Sequence, residues 1–513
     1  MKSFAALVLL GLISPSLALP QPEAAKRAPA PNHARAGEVR NAFQTAWKGY
    51  YKYAFPHDSL LPLSNGFEDD RNAWGLTPFD ALSTAIIMND EEIVNQILDF
   101  VPSIDFSTTK KANDTISLFE STIRYLGGML SSYDLLKGPY KRLARDPKKV
   151  DALLKQAASL ADSLSIAFTT PSGIADGYLV LNPAPKKSGA TTSNLAEMGT
   201  LILEWTRLSD LTGNPKYRQL AEKCENHLLN PKGSPEAWPG LVGTDISVAT
   251  GEFVNSSGGW SGGADSFYEY LIKMYLYDPK QYGFYKERWI AAADSTIAHL
   301  ASHPSTRPDL TFLSQFNGQN TYPVTGHLTS FAGGNFILGG LLLKEDKYTK
   351  FGLALAESYF QTYNQTASGI GPEVFRWIDQ TNPTSKPPAD QADFYNKAGF
   401  WVTGADYVLR PETIESLYYA YRATGDKKYQ DLAYQCFKAI LKQCRGGSGF
   451  SGINDVTKAD GGGQDNFQQS FFLAEALKYS YLINIDDQPV QVRADGNQFV
   501  FNTEAHPFKV RNA

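Results

Sequence analysis

A helix–turn–helix unit that occurs twice constrains the fold of this 513-residue chain more than any other feature. Residues 208–224 read Leu-Ser-Asp-Leu-Thr-Gly-Asn-Pro-Lys-Tyr-Arg-Gln-Leu-Ala-Glu-Lys-Cys, and residues 423–436 repeat this pattern in outline. Each copy predicts a helix that ends at glycine, a short polar turn and a second helix. Looser versions occupy 82–98 and 271–289. Such pairs bury their apolar faces only against neighbouring pairs, which predicts a solenoid or a closed toroid.

The C-terminal region predicts a β-hairpin in a chain that otherwise reads mainly as helix. Val490–Val492 and Phe499–Phe501 flank Asp495-Gly496, a dipeptide typical of two-residue hairpin turns. An isolated hairpin is marginally stable in water, so this one needs a surface to pack against. Burial in the centre of a helical barrel would supply that surface and favours the toroid. Thr503 would then offer its carbonyl and hydroxyl oxygens to a hard cation, although an ordinary strand end is an equally simple interpretation.

The first 18 residues are predicted to form a signal peptide. Met1-Lys2 precedes an apolar run over 4–12, and Ser16-Leu17-Ala18 offers small residues for cleavage. The run is too short to span a bilayer, and no later stretch reaches the roughly 20 apolar residues that a span needs. We therefore expect a secreted protein without a membrane anchor.

Residues 19–37 are rich in proline and alanine and contain the dibasic pair Lys26-Arg27, which predicts a removable pro-segment or linker. No later segment looks like a domain boundary, so 38–513 is predicted to be one catalytic domain. The secretory route also fits three predicted N-glycosylation sites, at Asn113, Asn255 and Asn364.

Charge and cysteine content narrow the classes of function. A net charge of −5 without basic clusters argues against nucleic acid or an anionic membrane as partner. No heptad pattern suggests an oligomer, so we expect a monomer. Cys436 and Cys444 would lie about 12 Å apart on one helix, too far for a disulfide. Cys224 and Cys436 hold equivalent places in the repeat and are predicted to be core residues, and we expect no catalytic thiol.

Acidic residues recur in helical contexts along the chain. Glu120 and Arg124 are spaced to form either a surface ion pair or part of a site. Asp265 and Glu269 place two carboxylates on one helical face, where they repel unless a cation or a polar ligand compensates.

Further acids lie near predicted helix ends or turns. Glu412 and Glu415 follow Pro411, where the helix dipole alone favours acids. Glu373 lies beside a glycine-rich turn, and Glu475 lies within an apolar helix. Acids at corresponding helix ends of a toroid would ring one mouth of the barrel. Paired carboxylates are the apparatus of glycoside hydrolysis.

Four ordered motifs make a resemblance specific: Ser-Leu-Phe-Glu-Ser-Thr-Ile-Arg, Asp-Ser-Phe-Tyr-Glu-Tyr-Leu, Arg-Pro-Glu-Thr-Ile-Glu-Ser and Phe-Asn-Thr-Glu-Ala-His-Pro. Over about 42–510 the chain resembles glycoside hydrolase family 47, the class I α-1,2-mannosidases, and especially its secreted fungal members. The resemblance implies an all-α fold, an (α/α)7 barrel plugged by the C-terminal hairpin. It also implies Ca²⁺-dependent, inverting hydrolysis of terminal α-1,2-linked mannose from high-mannose N-glycans.

The resemblance implies a role for each matched residue. Glu120 matches the general acid, Glu412 the proposed base, and Asp265 and Glu373 two further catalytic carboxylates. Thr503 matches the residue that binds Ca²⁺ directly, with waters completing the shell. Asp80 and Glu269 match, less directly, family positions around the sugar and the metal-bound waters. Positions around the sugar and the metal-bound waters are matched by Arg124, His327, Glu415, Phe471, Glu475 and Glu504. We expect burial among carboxylates to keep the acid protonated near neutral pH.

The chain departs from the family pattern in three places. Ser330 and apparently Ser358 replace the usual disulfide, whose loss forfeits roughly 3–4 kcal/mol in the chain-entropy model. Gln469 stands where a glutamate is common. Gly263 stands where narrow-specificity relatives have arginine, which predicts a roomier cleft that admits several glycan branches.

Two other classes of function stay open from the sequence. One is a mannose-binding quality-control homologue with weak or no hydrolysis, which the missing disulfide favours. The other is a different helical-toroid glycanase, which would have carboxylates but no calcium site at Thr503. Mannose release with and without a chelator separates the three.

Overall fold

The structure is a computed structural model that describes residues 29–383 and 385–511. The predicted signal peptide and residues 19–28 of the predicted linker lie outside this range. The remainder of that linker prediction needs a correction, because the first helix already begins at His33. Asn32 caps it, since its side-chain oxygen accepts a hydrogen bond from the Arg35 N–H at 3.3 Å.

Helices make up most of the regular structure, as the sequence predicts. Those in the first half of the chain are α1 (His33–Tyr53), α2 (Leu76–Ile87), α3 (Glu91–Phe100), α4 (Leu118–Glu120), α5 (Gly127–Lys137), α6 (Pro147–Leu164), α7 (Leu195–Gly199), α8 (Ile202–Thr212) and α9 (Lys216–Leu229). Those in the second half are α10 (Asp265–Tyr277), α11 (Gly283–Ser295), α12 (Phe331–Leu343), α13 (Asp346–Gln365), α14 (Ala392–Ala398), α15 (Glu412–Thr424), α16 (Lys427–Gln443) and α17 (Leu477–Leu482). Within the described ranges, none is long and apolar enough to cross a membrane.

Short antiparallel strands occupy the connections between helices. They are β1 (Ser59–Leu61), β2 (Gly66–Glu68), β3 (Ile116–Ser117), β4 (Tyr178–Val180), β5 (Lys186–Lys187), β6 (Thr192–Asn194), β7 (Asp245–Ser247), β8 (Ser257–Gly258), β9 (Ala301–Ser302), β10 (Phe312–Leu313), β11 (Gln315–Asn317), β12 (Asn320–Tyr322), β13 (Val324–Gly326), β14 (Val374–Arg376), β15 (Trp401–Gly404), β16 (Arg445–Gly446), β17 (Gly449–Phe450), β18 (Phe499–Phe501) and β19 (Pro507–Lys509). The larger sheets have the strand orders β3-β4-β5, β12-β11-β8 and β13-β14-β15.

The repeated sequence unit forms the helix pairs that it predicts. Gly213 ends α8 with φ 71° and Gly425 ends α15 with φ 65°, so both use the left-handed conformation that glycine adopts most easily. The two helices of each repeat, α8 with α9 and α15 with α16, pack against each other. Four further pairs of consecutive helices also pack together: α2 with α3, α5 with α6, α10 with α11, and α12 with α13. Cys224, Cys436 and Cys444 are buried and free, and burial raises the pKa of each thiol, which disfavours the reactive thiolate.

The first helix of each pair also contacts its counterpart in the next pair. Contacts run in order through α2, α5, α8, α10, α12, α15 and α17, and the π-helical turn Phe472–Ala476 before α17 packs back on α2. Helix α1 packs on α17. Within the α12/α13 pair, the two helix backbones approach closely, because a Cβ atom added to Gly352 on α13 would lie 2.5 Å from the Gly333 carbonyl oxygen on α12. The first and last helices of the described residues therefore meet, and the helices form one continuous array.

The C-terminal hairpin exists, but its predicted pairing is wrong. Phe499–Phe501 pairs with Pro507–Lys509, and the turn is formed by 502–506 rather than by Asp495-Gly496. Val492 cannot join a strand because helix α15 occupies its backbone groups. Its N–H donates to the Tyr418 hydroxyl at 3.1 Å, and its carbonyl accepts from Arg422 Nε at 2.9 Å.

Helices distant in sequence surround the connecting loop Asn502–His506. The Asn502 side-chain amide donates to the Ile123 carbonyl at 2.9 Å and to Glu204 on α8 at 2.8 Å. His506 lies 2.9 Å from the Ser83 hydroxyl on α2. Residues Asn502 and His506 are fully buried. The hairpin therefore finds the packing surface that an isolated hairpin lacks.

Candidate active site

One cavity of about 320 Å³ collects most of the predicted site residues. Its walls come from helices α4, α10 and α15, the π-helical segments Ser121–Leu126 and Phe472–Ala476, and the loop after β18. The predicted residues that line it are Glu120, Arg124, Asp265, Glu269, Glu412, Glu415, Phe471, Glu475, Thr503 and Glu504. Glu373, His327 and Asp80 are not among the lining residues. The fold thus brings together acids that are separated by hundreds of residues in sequence.

Glu120 closes the short helix α4, just before a π-helical segment over Ser121–Leu126. The Ser117 hydroxyl caps α4 by accepting the Glu120 N–H at 3.2 Å. A π-helical turn widens the helix, and such turns occur frequently at functional sites. Arg124 lies in this turn, and its Nε donates to Glu120 Oε2 at 2.6 Å. Only 8% of Arg124 is exposed and Glu120 is half-buried, so the two residues face the cavity and do not form a solvated surface ion pair.

Arg124 links several acids of the cavity. Its guanidinium lies 3.1 Å from Glu504 and 3.5 Å from Asp80, and it covers the Phe471 ring at 5.4 Å. Burial raises the pKa of Glu120, but the charges of Arg124 and Arg71 outweigh burial and leave that pKa below its ordinary value. The expectation that carboxylate neighbours keep Glu120 protonated therefore needs correction, because its nearest partner is a cation.

Asp265 is the first residue of α10, and its carboxylate accepts the Ser266 N–H at 2.7 Å. Burial raises the pKa of Asp265 to about 7, and the charges of Glu269 and Glu412 act in the same direction. Glu269 forms a buried ion pair with Lys273, one turn further along the helix. Asp265 and Glu269 repel each other on one face of α10, and Lys273 of the same helix offsets part of this repulsion.

Glu412 begins helix α15, and Pro411 is its N-cap rather than its first residue. His327 Nδ1 lies 2.7 Å from Glu412 Oε2, and the Tyr363 hydroxyl lies 2.7 Å from His327 Nε2. Burial raises the pKa of Glu412, but His327 and the charge of Arg410 together outweigh burial and leave that pKa below its ordinary value. His327 therefore reaches the cavity only through Glu412.

Glu373 lies behind Arg410. Both of its carboxylate oxygens accept from Arg410 Nε, at 2.8 and 2.7 Å, and Arg410 Nη1 lies 3.7 Å from Glu412 Oε1. Burial raises the pKa of Glu373 although Arg410 opposes the shift. The geometry fits a group that orients Arg410 beside Glu412.

The cavity floor around Thr503 concentrates carboxyl groups. Burial raises the pKa of Glu415 and Glu504 to about 8, and burial with the charge of Glu504 raises the pKa of Glu475 well above its ordinary value. One buried oxygen of Glu504 has no hydrogen-bond partner. Surplus carboxylates and an unpartnered oxygen suit a divalent cation. No group of three His, Cys, Asp or Glu side chains within 29–383 and 385–511 is placed to hold a metal directly, so Thr503 and water would have to supply ligands.

Sequence reasoning overlooked three lining or supporting residues. Arg410 lines the cavity and Lys273 lies beneath it, while Glu197 lines it and accepts from the Tyr178 hydroxyl at 3.3 Å. The i,i+4 spacing of Glu269 and Lys273 was a usable signal. Nothing in the sequence near Glu197 marks it.

The departures from the family pattern have local explanations. The Ser330 hydroxyl accepts from Thr413 at 3.0 Å, and the Ser358 hydroxyl accepts the Thr311 N–H at 2.8 Å, so both serines are hydrogen-bonded in the core. Gly263 lines the cavity with φ 88°, and an added Cβ atom would meet only the Thr244 methyl group, at 3.0 Å. Apart from this close contact, no atom lies within 4 Å of that position.

Known proteins resemble this chain over almost its full length. A probable mannosyl-oligosaccharide α-1,2-mannosidase 1B from Aspergillus niger is 52% identical over 510 residues, covering 98% of both chains. A mannosyl-oligosaccharide α-1,2-mannosidase 1B from Aspergillus phoenicis is 53% identical over 93% of this chain and 91% of its own. The solved α-1,2-mannosidase from Trichoderma reesei is 61% identical, has a TM-score of 0.93, and is matched over 94% of this chain and 100% of its own.

The family model for glycosyl hydrolase family 47 matches residues 42–510. These limits agree with the range over which the four sequence motifs indicate a resemblance, and the identities with the fungal enzymes extend over the same region. The predicted resemblance is confirmed: the chain belongs to glycosyl hydrolase family 47.

Proposed function

We propose that the protein is a Ca²⁺-dependent, inverting exo-α-1,2-mannosidase that removes terminal mannose from high-mannose N-glycans. The observation that carries the proposal is the meeting of Glu120, Asp265, Glu412 and Thr503 in one cavity. Fungal relatives more than 50% identical are described as mannosyl-oligosaccharide α-1,2-mannosidases, which supports the substrate class.

Glu120 would act as general acid on the glycosidic oxygen. When substrate covers the cavity and excludes water, the Glu120 carboxyl becomes more desolvated. This desolvation favours its protonated form. Glu412, whose pKa is lowered in the free cavity, would be ionised near neutral pH and remove a proton from the attacking water. Inversion needs about 6.5–9.5 Å between acid and base to accommodate that water, a separation that carboxylates from different helices can provide.

Asp265 and Arg410 would support this pair. The raised pKa of Asp265 lets it hold or release a proton near neutral pH, so it can donate to or accept from the bound water or a sugar hydroxyl. Arg410, held by Glu373, would steady the charge of Glu412.

Thr503 would ligate Ca²⁺ through its carbonyl and hydroxyl oxygens, and Glu415, Glu475 and Glu504 would orient the remaining water ligands. The ion, when bound, would supply a positive charge that orders the hydroxyls of the terminal mannose. Phe471, beneath Arg124, offers an apolar surface for one face of the sugar.

We further infer that the helices form an (α/α)7 barrel plugged by the β18–β19 hairpin. The cyclic order of contacts from α2 to α17 and back to α2 supports seven inner helices. The partner helices α3, α6, α9, α11, α13, α16 and α1 support an outer layer. Residues 38–513 would then be one catalytic domain.

We also propose that the protein enters the secretory pathway, acts as a monomer and is N-glycosylated. Asn113 and Asn364 are exposed and available for modification. Asn255 is half-buried, and its side-chain amide donates to Asp245 at 2.7 Å. A glycan at Asn255 would require that hydrogen bond to break, so we expect modification mainly at the other two positions.

The test is hydrolysis of α-1,2-linked mannobiose followed by proton NMR, with CaCl₂ or with excess chelator. The proposal predicts β-mannose as first product with calcium, and loss of activity with chelator that added calcium restores. First-formed α-mannose contradicts inversion. Calcium binding without mannose release favours a mannose-binding homologue, and chelator-resistant release favours a glycanase that needs no calcium.

A second assay addresses the space at Gly263. A mixed high-mannose glycan, followed by mass spectrometry, should lose mannose from more than one branch. Gly263→Arg should narrow the products, because a long side chain would fill the space that now borders only Thr244. Identical products from both proteins would show that Gly263 does not control branch choice.

A further inference from the structure

The loop that carries Thr503 is a strained turn. The Asn502 side-chain oxygen accepts the N–H groups of Glu504 at 2.9 Å and His506 at 2.8 Å, which folds the loop back on itself. Ala505 adopts φ 55°, a left-handed conformation that is unfavourable for a residue other than glycine. Surrounding contacts must therefore hold this conformation.

Lys273 supports the loop on one side. Its ammonium group donates to the Asn502 carbonyl at 3.2 Å and forms the ion pair with Glu269. Only 2% of Lys273 is exposed. The residue lies on α10, so it ties the carbonyl that precedes Thr503 to the helix that also carries Asp265.

Lys478 supports the loop on the other side. Its amino group donates to the Ala505 carbonyl and, at 2.8 Å, to the Ser83 hydroxyl. Lys478 is completely buried on α17. The two lysines thus hold carbonyl groups on both sides of Thr503 from different helices.

These contacts leave Thr503 poised toward the cavity. Its N–H donates to the Tyr270 hydroxyl at 3.2 Å, whereas its carbonyl and hydroxyl oxygens accept no hydrogen bond from the described residues. Burying an ammonium group is costly unless strong contacts compensate it. Both buried lysines donate to carbonyl groups of this loop. Apolar side chains could fill the same space but could not hold these carbonyl groups in place.

We propose that Lys273 and Lys478 are positioning residues that fix the loop so that the Thr503 carbonyl and hydroxyl oxygens are preorganised to bind a divalent cation. The inference rests on the proposed function, because it takes Thr503 as the calcium ligand. Preorganised ligands bind more tightly because less conformational freedom is lost on binding. The lysines would therefore act on calcium affinity without touching the ion or the sugar.

The test is calorimetric titration of CaCl₂ into calcium-free wild-type protein and into Lys273→Met and Lys478→Met. Each substitution keeps an apolar stem of similar length and removes the donor. We expect the dissociation constant for calcium to rise about 10–100-fold, the range found when groups supporting metal ligands are removed. Circular dichroism and the unfolding midpoint without calcium establish that each variant is folded.

Arg422→Met is the matched control. Arg422 is also a largely buried cation that donates to a backbone carbonyl, that of Val492, but it does not contact the Thr503 loop. The proposal predicts wild-type calcium affinity for this control. A similar loss of affinity in Arg422→Met would indicate a general stability effect and overturn the proposal.

Folded Lys→Met variants with wild-type calcium affinity would also overturn it. If a Met variant does not fold, the Lys→Gln variant, too short to reach the loop carbonyl, is titrated and judged by the same criterion. Failure of the wild type to bind calcium contradicts the proposed function itself, so the two failures are distinguishable.

Discussion

Calcium binding to this cavity should expel protons. Burial raises the pKa of Glu415 and Glu504 to about 8, so both are mostly protonated at pH 7 in the calcium-free protein, and it raises the pKa of Glu475 in the same direction. A carboxyl with pKa 8 is about nine-tenths protonated at pH 7, so Glu415 and Glu504 together carry about 1.8 protons. A divalent cation favours the ionised carboxylates. We expect Glu415 and Glu504 to release about two protons per calcium ion at pH 7.

The sign follows from the raised pKa values. As pH rises from 6 to 8, fewer protons must leave, so the apparent calcium affinity increases, and it becomes constant above about pH 9. Calorimetric titration in buffers of different ionisation enthalpy measures the number of protons released per calcium ion. This number is the slope of the observed binding enthalpy against the ionisation enthalpy of the buffer. Glu415→Gln, which has no proton to lose, should lower the slope by about 0.9. Tight calcium binding with a slope near zero at pH 7 would refute the claim that burial keeps these carboxyls protonated.

Three further predictions concern single contacts. Glu120→Gln should lower kcat on α-1,2-linked mannobiose by about 10²–10⁴-fold with calcium affinity retained; a smaller loss would remove Glu120 as general acid. His327→Phe removes the hydrogen bond that lowers the pKa of Glu412, so the acidic limb of the kcat/KM profile should move to higher pH; an unchanged limb would show that Glu412 is not the titrating base. The double variant Ser330→Cys/Ser358→Cys, if oxidised, should gain up to about 3 kcal/mol in urea unfolding over its reduced form, and no difference would show that the bridge does not form or does not stabilise.

The helical part of the fold could be predicted because its signals are local. The glycine-terminated repeats at 208–224 and 423–436 contain their own turn and cap information, and the corresponding helices end where those glycines predict. The hairpin pairing could not be predicted in this way. Asp495-Gly496 is a good local turn signal, but Tyr418 and Arg422, more than 60 residues upstream, occupy the backbone of Val492. Tertiary contacts override local turn preference here.

The candidate site shows the same division. The motifs around Glu120, Asp265, Glu412 and Thr503 marked residues that the fold brings to one cavity, but they did not reveal electrostatic balance. The lowered pKa of Glu120 depends on Arg71 as well as Arg124, and Arg71 lies 3.6 Å from it in space but far away in sequence. Spatial neighbours of this kind have no signature in a single sequence.

The position of the Thr503 loop has a consequence for biosynthesis. Translation adds this loop after every helix that contributes an acid to the cavity. Until then, the acids from α4, α10 and α15 would face a water-filled gap in place of Asn502, Thr503 and His506. A growing chain can form its helix pairs in order from the ribosome, but it cannot complete the cavity. The capacity to bind substrate should therefore appear only after the Thr503 loop has been synthesised and has packed between the helices.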